Sequence, residues 1–396
     1  MTINIIITFC ILILLAYIFD LSSSRTRIPS VILLLLLGWT TNQVSILLKI
    51  TLPDFSPLLP VIGTIGLILI VLEGSLELRL NHSKRVVILK SLSGAIFSII
   101  SLAFILTYVL SQNSPQSFRI LIINALPLCI ISSAIAIPSA SHLSKRIKEF
   151  IIYESSFSDI IGVVLFNFFI TNEILNAQAF ANFFIELLLI TAISLISTIG
   201  LSLLLSRINH HIKYIPIILI VILIYSISKI YHLPGLVFIL MFGLFLGNLD
   251  KIKNKKWSKR FHPEILEKEV AKLRELTAEG SFLVRALFFL LFGYLIEIQQ
   301  VLNKETLPWS TGLVVIILIL RSLQIKISGL QLSPLLWIAP RGLITILLFL
   351  SMDASMAVTL VTKSLIIQVI LLTSVVMAIG LITTKNSTAE IHKQSV

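Results

Sequence analysis

The sequence predicts an all-α integral membrane protein, with about thirteen transmembrane helices in two inverted-topology repeats and a broken helix in each. Three observations predict it. The chain has 396 residues, of which 57% are hydrophobic and only 13% charged, too little charge to cover the surface of a soluble chain this long. Apolar runs of membrane-spanning length recur from end to end. One apolar segment also returns later in the chain, after an odd number of spans.

The runs fall at 2–20, 28–48, 57–78, 86–110, 118–140, 149–171, 181–206, 213–231, 233–249, 280–299, 308–329, 333–352 and 355–384, each near the length that a hydrocarbon core of ~30 Å demands. The first run lacks a basic flank and a small-residue cleavage site, so it is read as a retained helix. Residues 1–250 form the N-terminal transmembrane half, which includes the opening helices of the second repeat. A basic cytoplasmic linker covers 251–279, the C-terminal half covers 280–384, and a short tail covers 385–396.

The net charge of +12 sits in alternate loops. Arg25 and Arg27 follow the first run, Arg79, Lys84 and Arg85 the third, and Lys145, Arg146 and Lys148 the fifth. Arg207 and Lys213 flank the loop after the seventh. A large cluster from Lys251 to Arg274 follows the ninth, and Lys385 and Lys393 follow the last. This asymmetry places the N-terminus outside and the C-terminus in the cytoplasm of an inner (plasma) membrane. The charge is therefore topological and not a signal for nucleic acid. Cys10 and Cys129 lie within apolar runs, and the seven histidines lie at helix ends or in loops. Neither set suggests a disulfide framework, a haem or a catalytic metal.

The repeat rests on "IPSVILLLLLGWTTNQ" from Ile28 and "LPGLVFILMFGLFLGN" from Leu233. Pro29 and Gly38 align with Pro234 and Gly243. These are the second and ninth spans. An offset of seven spans makes the copies run in opposite directions, as in secondary transporters. The same offset pairs the fifth span with the twelfth. The fifth holds Pro127, Ser132, Ser133 and Pro138, and the twelfth holds Pro340, Arg341 and Gly342. Helix breakers at matching positions free backbone groups that protein, water or an ion must satisfy. Such a matched pair points to a binding site near the midplane.

The charges inside apolar runs carry the chemistry. Asp159 lies near the centre of the sixth span, in "ESSFSDIIGVVLFNFF". A bare carboxylate there costs roughly 2.5–3.5 kcal/mol on insertion scales and needs a partner, water or a proton. Ser155 lies one turn earlier on the same face and Ser158 is adjacent, so an oxygen cluster around Asp159 is expected. Oxygen ligands suit Na⁺ or Li⁺, and a carboxylate removed from water readily takes a proton. One site that holds either a cation or a proton is the minimum machinery of antiport. Glu154 points about 140° away on the same helix, so its expected partner is Arg321, in a structural ion pair. Arg341 at the break of the twelfth span is suited to offset the half-helix dipoles that meet there. Arg285 is a further charge within an apolar run. Lys326 is read as snorkelling to a helix end. Glu73, near the cytoplasmic end of the third span, fits either a cation-attracting vestibule or an interfacial acid without an ion role. In the linker, "PEILEKEVAKLRELTAE" has Ile265, Leu266, Val270 and Leu273 on one side. It is expected to form a surface helix joining the two halves, with its basic flank on anionic headgroups.

Together these segments resemble the monovalent cation:proton antiporters, the sodium/proton exchanger superfamily, over nearly the whole chain. "RIPSVILLLLLG", "GLVFILMFGLFLGN", "FLVRALFFLLFG", "APRGLITILL" and "ESSFSDIIGVVLFN" carry the resemblance. It implies two inverted repeats, crossed broken helices, a core domain moving against a dimerisation domain, and a homodimer. It also implies pH homeostasis as the setting and no cofactor beyond the transported cation and proton. Asp159 inherits the ion- and proton-binding role, as the Na⁺ ligand, and Glu154 inherits the acid paired to a membrane arginine. Ser158 stands where the family has Asn or Asp. Ser132-Ser133-Ala134 stands where many sodium exchangers have Thr-Asp-Pro. One central carboxylate implies electroneutral exchange of one cation for one proton, and the two departures leave Na⁺, Li⁺ and K⁺ open. The double serine also resembles potassium/proton antiporters. An organic-anion symporter on a related fold would need a wide polar pocket at the crossing. A membrane-embedded transferase would need a catalytic acid or His and a sizeable donor-binding loop, and the outer loops are short. The inverted repeat argues for alternating access over a channel.

Overall fold

In the computed structural model the described residues are 2–26, 28–49, 54–78, 84–207, 213–231, 233–249 and 263–394. Among them the chain is helical, without strands. That is what a bilayer demands, because each backbone amide and carbonyl must be satisfied within its own segment. The first half comprises α1 (Thr2–Thr26), α2 (Ser30–Leu47), α3 (Leu58–Glu77), α4 (Arg85–Asn113), α5 (Phe118–Cys129), α6 (Ser133–Ser139), α7 (Lys145–Thr171) and α8 (Ala177–Arg207). Then follow α9 (Tyr214–Ile230), α10 (Gly235–Gly247), α11 (Pro263–Tyr294), the short α12 (Ile298–Val301), α13 (Leu307–Ile327), α14 (Leu343–Leu350) and α15 (Lys363–Gln394).

Among the described residues eight helices are long and apolar enough to cross a membrane, and Ile7–Ser23, Tyr214–Ile230 and Gly235–Gly247 are shorter apolar helices. The remaining expected spans are α7, which carries the polar "ESSFSD" segment, and the interrupted segment that ends in α14. Every one of the expected runs therefore has a helical counterpart.

Three local readings change. The amphipathic stretch expected as a separate surface helix is the first half of α11, which runs unbroken for 32 residues into the tenth span. Gly280 stands at the junction, and the helix runs through it. Leu266 and Leu273 are fully buried, so the apolar side packs inside the protein. The basic cluster from Lys251 to His262 lies outside the described residues. The tenth span ends at Tyr294, before a turn that leads to α12. The last span begins only at Lys363, after turns over 351–362.

The chain divides into two compact units that interleave in sequence. The first comprises residues 1–63, 90–162 and 283–396, and the second comprises 64–89 and 163–282. In the first unit α2 lies directly on the end of α11. A Cβ on Gly38 would strike the carbonyl oxygen of Leu290, and one on Gly293 would come within 2.8 Å of the Leu35 Cα. In the second unit α10 lies on α3 in the same way. A Cβ on Gly243 would fall 2.6 Å from the Ser75 Cβ, and one on Gly247 would fall 2.7 Å from the Leu76 carbonyl. Lipid tails are as apolar as leucine, so helices in a bilayer associate through such close backbone approach. The two contacts correspond under the repeat: second span on tenth, and ninth on third. Gly38 and Gly243, aligned from sequence alone, do the same job in each copy.

Candidate functional site: the two helix breaks and Asp159

The site is assembled in the first unit from α5, α6, α7, α13, α14 and the extended segments at the breaks. Pro127 lies inside α5 and Pro138 inside α6, and the helix is open over residues 130–132. The twelfth span has a single 3₁₀ turn over Leu335–Trp337 and is non-helical over 338–342 before α14. The two breaks bond to each other: the Ser132 amide donates to the Pro340 carbonyl at 2.9 Å. The amide of Ile131 donates to the Ser158 hydroxyl oxygen at 2.9 Å. On the other strand of the crossing, Arg341 Nε donates to the Leu128 carbonyl at 2.8 Å and its Nη1 to the Ala339 carbonyl at 2.9 Å. Its own amide donates to Thr373 Oγ1 at 3.1 Å. Backbone groups freed by the breaks thus find partners, as a water-poor interior requires. The guanidinium lies at the carbonyl end of α5, where a positive charge opposes the helix dipole.

Asp159 is fully buried. Its Oδ2 accepts a hydrogen bond from the hydroxyl of Ser133, the first residue of α6. Its Oδ1 has no hydrogen-bond partner among the described residues, and neither have the buried hydroxyls of Ser132 and Thr345. The expected serine cluster is therefore rearranged. Ser133 meets the carboxylate, whereas Ser155 donates to the Ile151 carbonyl of its own helix at 2.8 Å and Ser158 accepts from Ile131. No hydrogen bond joins Ser155 or Ser158 to Asp159. A serine in a helix readily bonds back to the carbonyl four residues earlier, an option that residue spacing alone does not weigh.

Glu154 and Arg321 form a buried ion pair, their side chains 2% and 1% exposed. Gln324 closes the group: its Nε2 donates to Glu154 Oε1, and its Oε1 accepts from Arg321 Nη1 at 2.8 Å. Arg321 Nε donates to the Leu335 carbonyl at 3.1 Å, tying the pair to the broken twelfth span. A buried pair survives desolvation only with such extra hydrogen bonds. Gln324 was missed from sequence; the signal was its place one turn after Arg321, facing the same way. Arg285 lies 3.7 Å from Asp20 of α1, and Asp20 also accepts from the Ser30 hydroxyl at 3.0 Å. Asp20 went unnoticed because it ends an apolar run. Glu73 is half-buried on α3, in the second unit. Lys326 is exposed on α13. Asn124, also missed, holds α5 to the turn after α14 through the Met356 carbonyl at 2.7 Å.

Two helix breaks bonded to each other, with one buried carboxylate held beside the first and an inverted repeat around them, fit a secondary transporter of small ions. The chain belongs to the sodium/hydrogen exchanger family, whose transmembrane region matches residues 10–385. The fold is also that of the sodium proton antiporter MjNhaP1 from Methanocaldococcus jannaschii. Its structure at pH 8 superposes with a TM-score of 0.70 at 18% identity, covering 96% of this chain and 100% of that one. A second structure of MjNhaP1, from electron microscopy, gives a TM-score of 0.66 at 19% identity, with 96% of each chain covered. Comparison with curated proteins finds no match. The chain is thus a multi-pass membrane transporter of a family of cation/proton antiporters, and not an enzyme.

Proposed function

We propose that this protein exchanges one monovalent cation for one proton by alternating access, with Asp159 binding each in turn. One observation carries the reading: a fully buried carboxylate at the helix crossing, with one oxygen held by Ser133 and the other without a hydrogen-bond partner among the described residues. An anion so placed is costly unless it holds a cation or a proton. The Ser132 hydroxyl, likewise without a partner, is a second oxygen for a partly dehydrated ion.

The cycle follows from that cost. A proton arriving from one side displaces the cation from Asp159. The loaded site then turns to face the other side. The empty carboxylate does not make this passage, because it would enter a dry barrier uncompensated, and this couples the two fluxes. Glu154 is neutralised by Arg321 throughout and takes no part. With one exchanging carboxylate the loaded states carry equal charge, so exchange is electroneutral. The basic loops set the N-terminus outside and the C-terminus in the cytoplasm of the plasma membrane, and the functional unit is a homodimer, as the family resemblance implies.

The test uses inverted vesicles with a preformed pH gradient and a pH-sensitive dye inside, to which Na⁺, Li⁺ and K⁺ are added in turn. One or more cations should collapse the gradient in wild type and none in Asp159→Asn at equal protein level. Clamping the membrane potential to different values should leave the wild-type rate unchanged. A fully active Asp159→Asn would overturn the assignment.

A further inference from the structure

The second unit holds a cavity that the mechanism above does not use. It measures about 10 Å³ and is lined by Val164, Asn167, Phe168, Thr171, Asn172, Phe183, Glu186 and Pro234. That volume admits about one water or one partly dehydrated ion. Residues 164, 167, 168 and 171 follow the helical spacing of one face of α7. Phe183 and Glu186 are one turn apart on α8, and Pro234 caps α10.

Glu186 is the informative member. It lies inside "ANFFIELLLI" and is the only charged residue in a 29-residue span, where a carboxylate needs a partner, water or a cation. It is half-buried, and among the described residues it makes no salt bridge or side-chain hydrogen bond. Asn167 and Thr171, each with a neutral oxygen, line the same cavity as that carboxylate. Asn172 donates its Nδ2 to the Phe168 carbonyl at 2.9 Å, so its amide oxygen is not required by that bond. Phe168 packs on Phe183 with ring centroids 4.9 Å apart and on Phe180 at 5.0 Å, which gives one wall an aromatic surface. The segment that supplies most of its lining is one-sided in charge. No Lys or Arg occurs between Lys148 and Arg207, while Glu173 and Glu186 do. Lys229, exposed at the end of α9, is the nearest cation in sequence to Pro234.

The cavity is at the C-terminal end of α7, the opposite end of that helix from Lys145, Arg146 and Lys148. Glu186 is nine residues from the start of the 31-residue α8, or ~13 Å along a helix of ~46 Å, close to the edge of a hydrocarbon core of ~30 Å. That depth puts it nearer one membrane face than the bilayer centre.

We propose that this cavity is a second site for a monovalent inorganic cation, with Glu186 as its charged ligand and Asn167 and Thr171 as neutral oxygen ligands. It shares no residue with the Asp159 site. It raises the local cation concentration at one face of the membrane, as a charged cleft does for its ligand. Only this kinetic role rests on the antiport reading; the binding itself does not.

The binding test uses the full-length protein carrying Asp159→Asn, with ²²Na⁺ and ⁸⁶Rb⁺ as equilibrium probes. Saturable binding should remain in Asp159→Asn and fall about tenfold or more when Glu186→Gln or Asn167→Ala is added, with unchanged melting temperature. No residual binding in Asp159→Asn, or binding indifferent to both substitutions, would overturn the proposal. The kinetic test compares Glu186→Gln with wild type in right-side-out and inverted vesicles. The half-saturating cation concentration should rise about tenfold from one side only, with maximal rate unchanged. A change from both sides alike would mark a structural role and overturn the proposal. If wild-type exchange itself requires no Asp159, the antiport reading fails while the binding result still decides the second site.

Discussion

Ser158 holds the amide of Ile131 at 2.9 Å, so the residue just before the buried Asp159 caps the open backbone of the neighbouring broken helix. The position therefore supports the break and not the carboxylate. Ser158→Ala removes the acceptor and leaves a buried amide unpaired, at a cost of about 1–3 kcal/mol. The expected outcome is a lower melting temperature in detergent with cation selectivity unchanged. Altered selectivity at unchanged stability would contradict it.

Ser133 is the protein donor to Asp159. A hydrogen bond to a charged group is worth about 1.5–3 kcal/mol, so Ser133→Ala is expected to raise the half-saturating cation concentration tenfold or more. Ser155→Ala, which loses only a bond to its own helix, should change it little. Titrating cation against gradient collapse separates the two. Equal effects would show that the crossing holds its ion by a different set of hydroxyls.

Glu154→Gln leaves Arg321 buried beside two amides and without its counter-charge. Breaking one side of a buried pair costs about 3–5 kcal/mol. Folded yield and melting temperature should drop sharply. Whatever protein folds should keep the wild-type order of cation preference, measured in the same vesicle assay.

Gly38→Ala would drive a methyl into the Leu290 carbonyl, and Gly243→Ala one onto Ser75. The first meets backbone and has nowhere to go. The second meets the Ser75 hydroxyl, which can rotate, and the Ser75 Cβ at 2.6 Å, which cannot, so less of its clash is with backbone. Gly38→Ala is expected to be the more destabilising by at least about 1 kcal/mol, read as the difference in melting temperature between the two variants.

Much of this was legible in the sequence because it depends on local quantities. An apolar run of spanning length must be a helix in a bilayer, and Pro340-Arg341-Gly342 interrupts one whatever its neighbours are. Asp159 and the Glu154–Arg321 pairing were legible for the same reason: a charge in a dry helix must be accounted for, and few candidates exist. Less legible was the extent of α11. Its polar first half reads as a surface helix, yet Gly280 at the junction does not stop it, and its apolar side is buried in protein.

The sequence by itself determined the membrane class, the spans, the inverted repeat and the buried acid, because length, hydropathy and charge act on each segment separately. Only the tertiary structure decided which hydroxyl reaches Asp159, that Ser132 and Pro340 tie the two breaks together, and that Asp20 answers Arg285. A serine can bond its own helix, a neighbouring backbone or a carboxylate at nearly equal free energy. Which of these it takes depends on how the segments meet across the fold, and residue spacing within one helix does not contain that information.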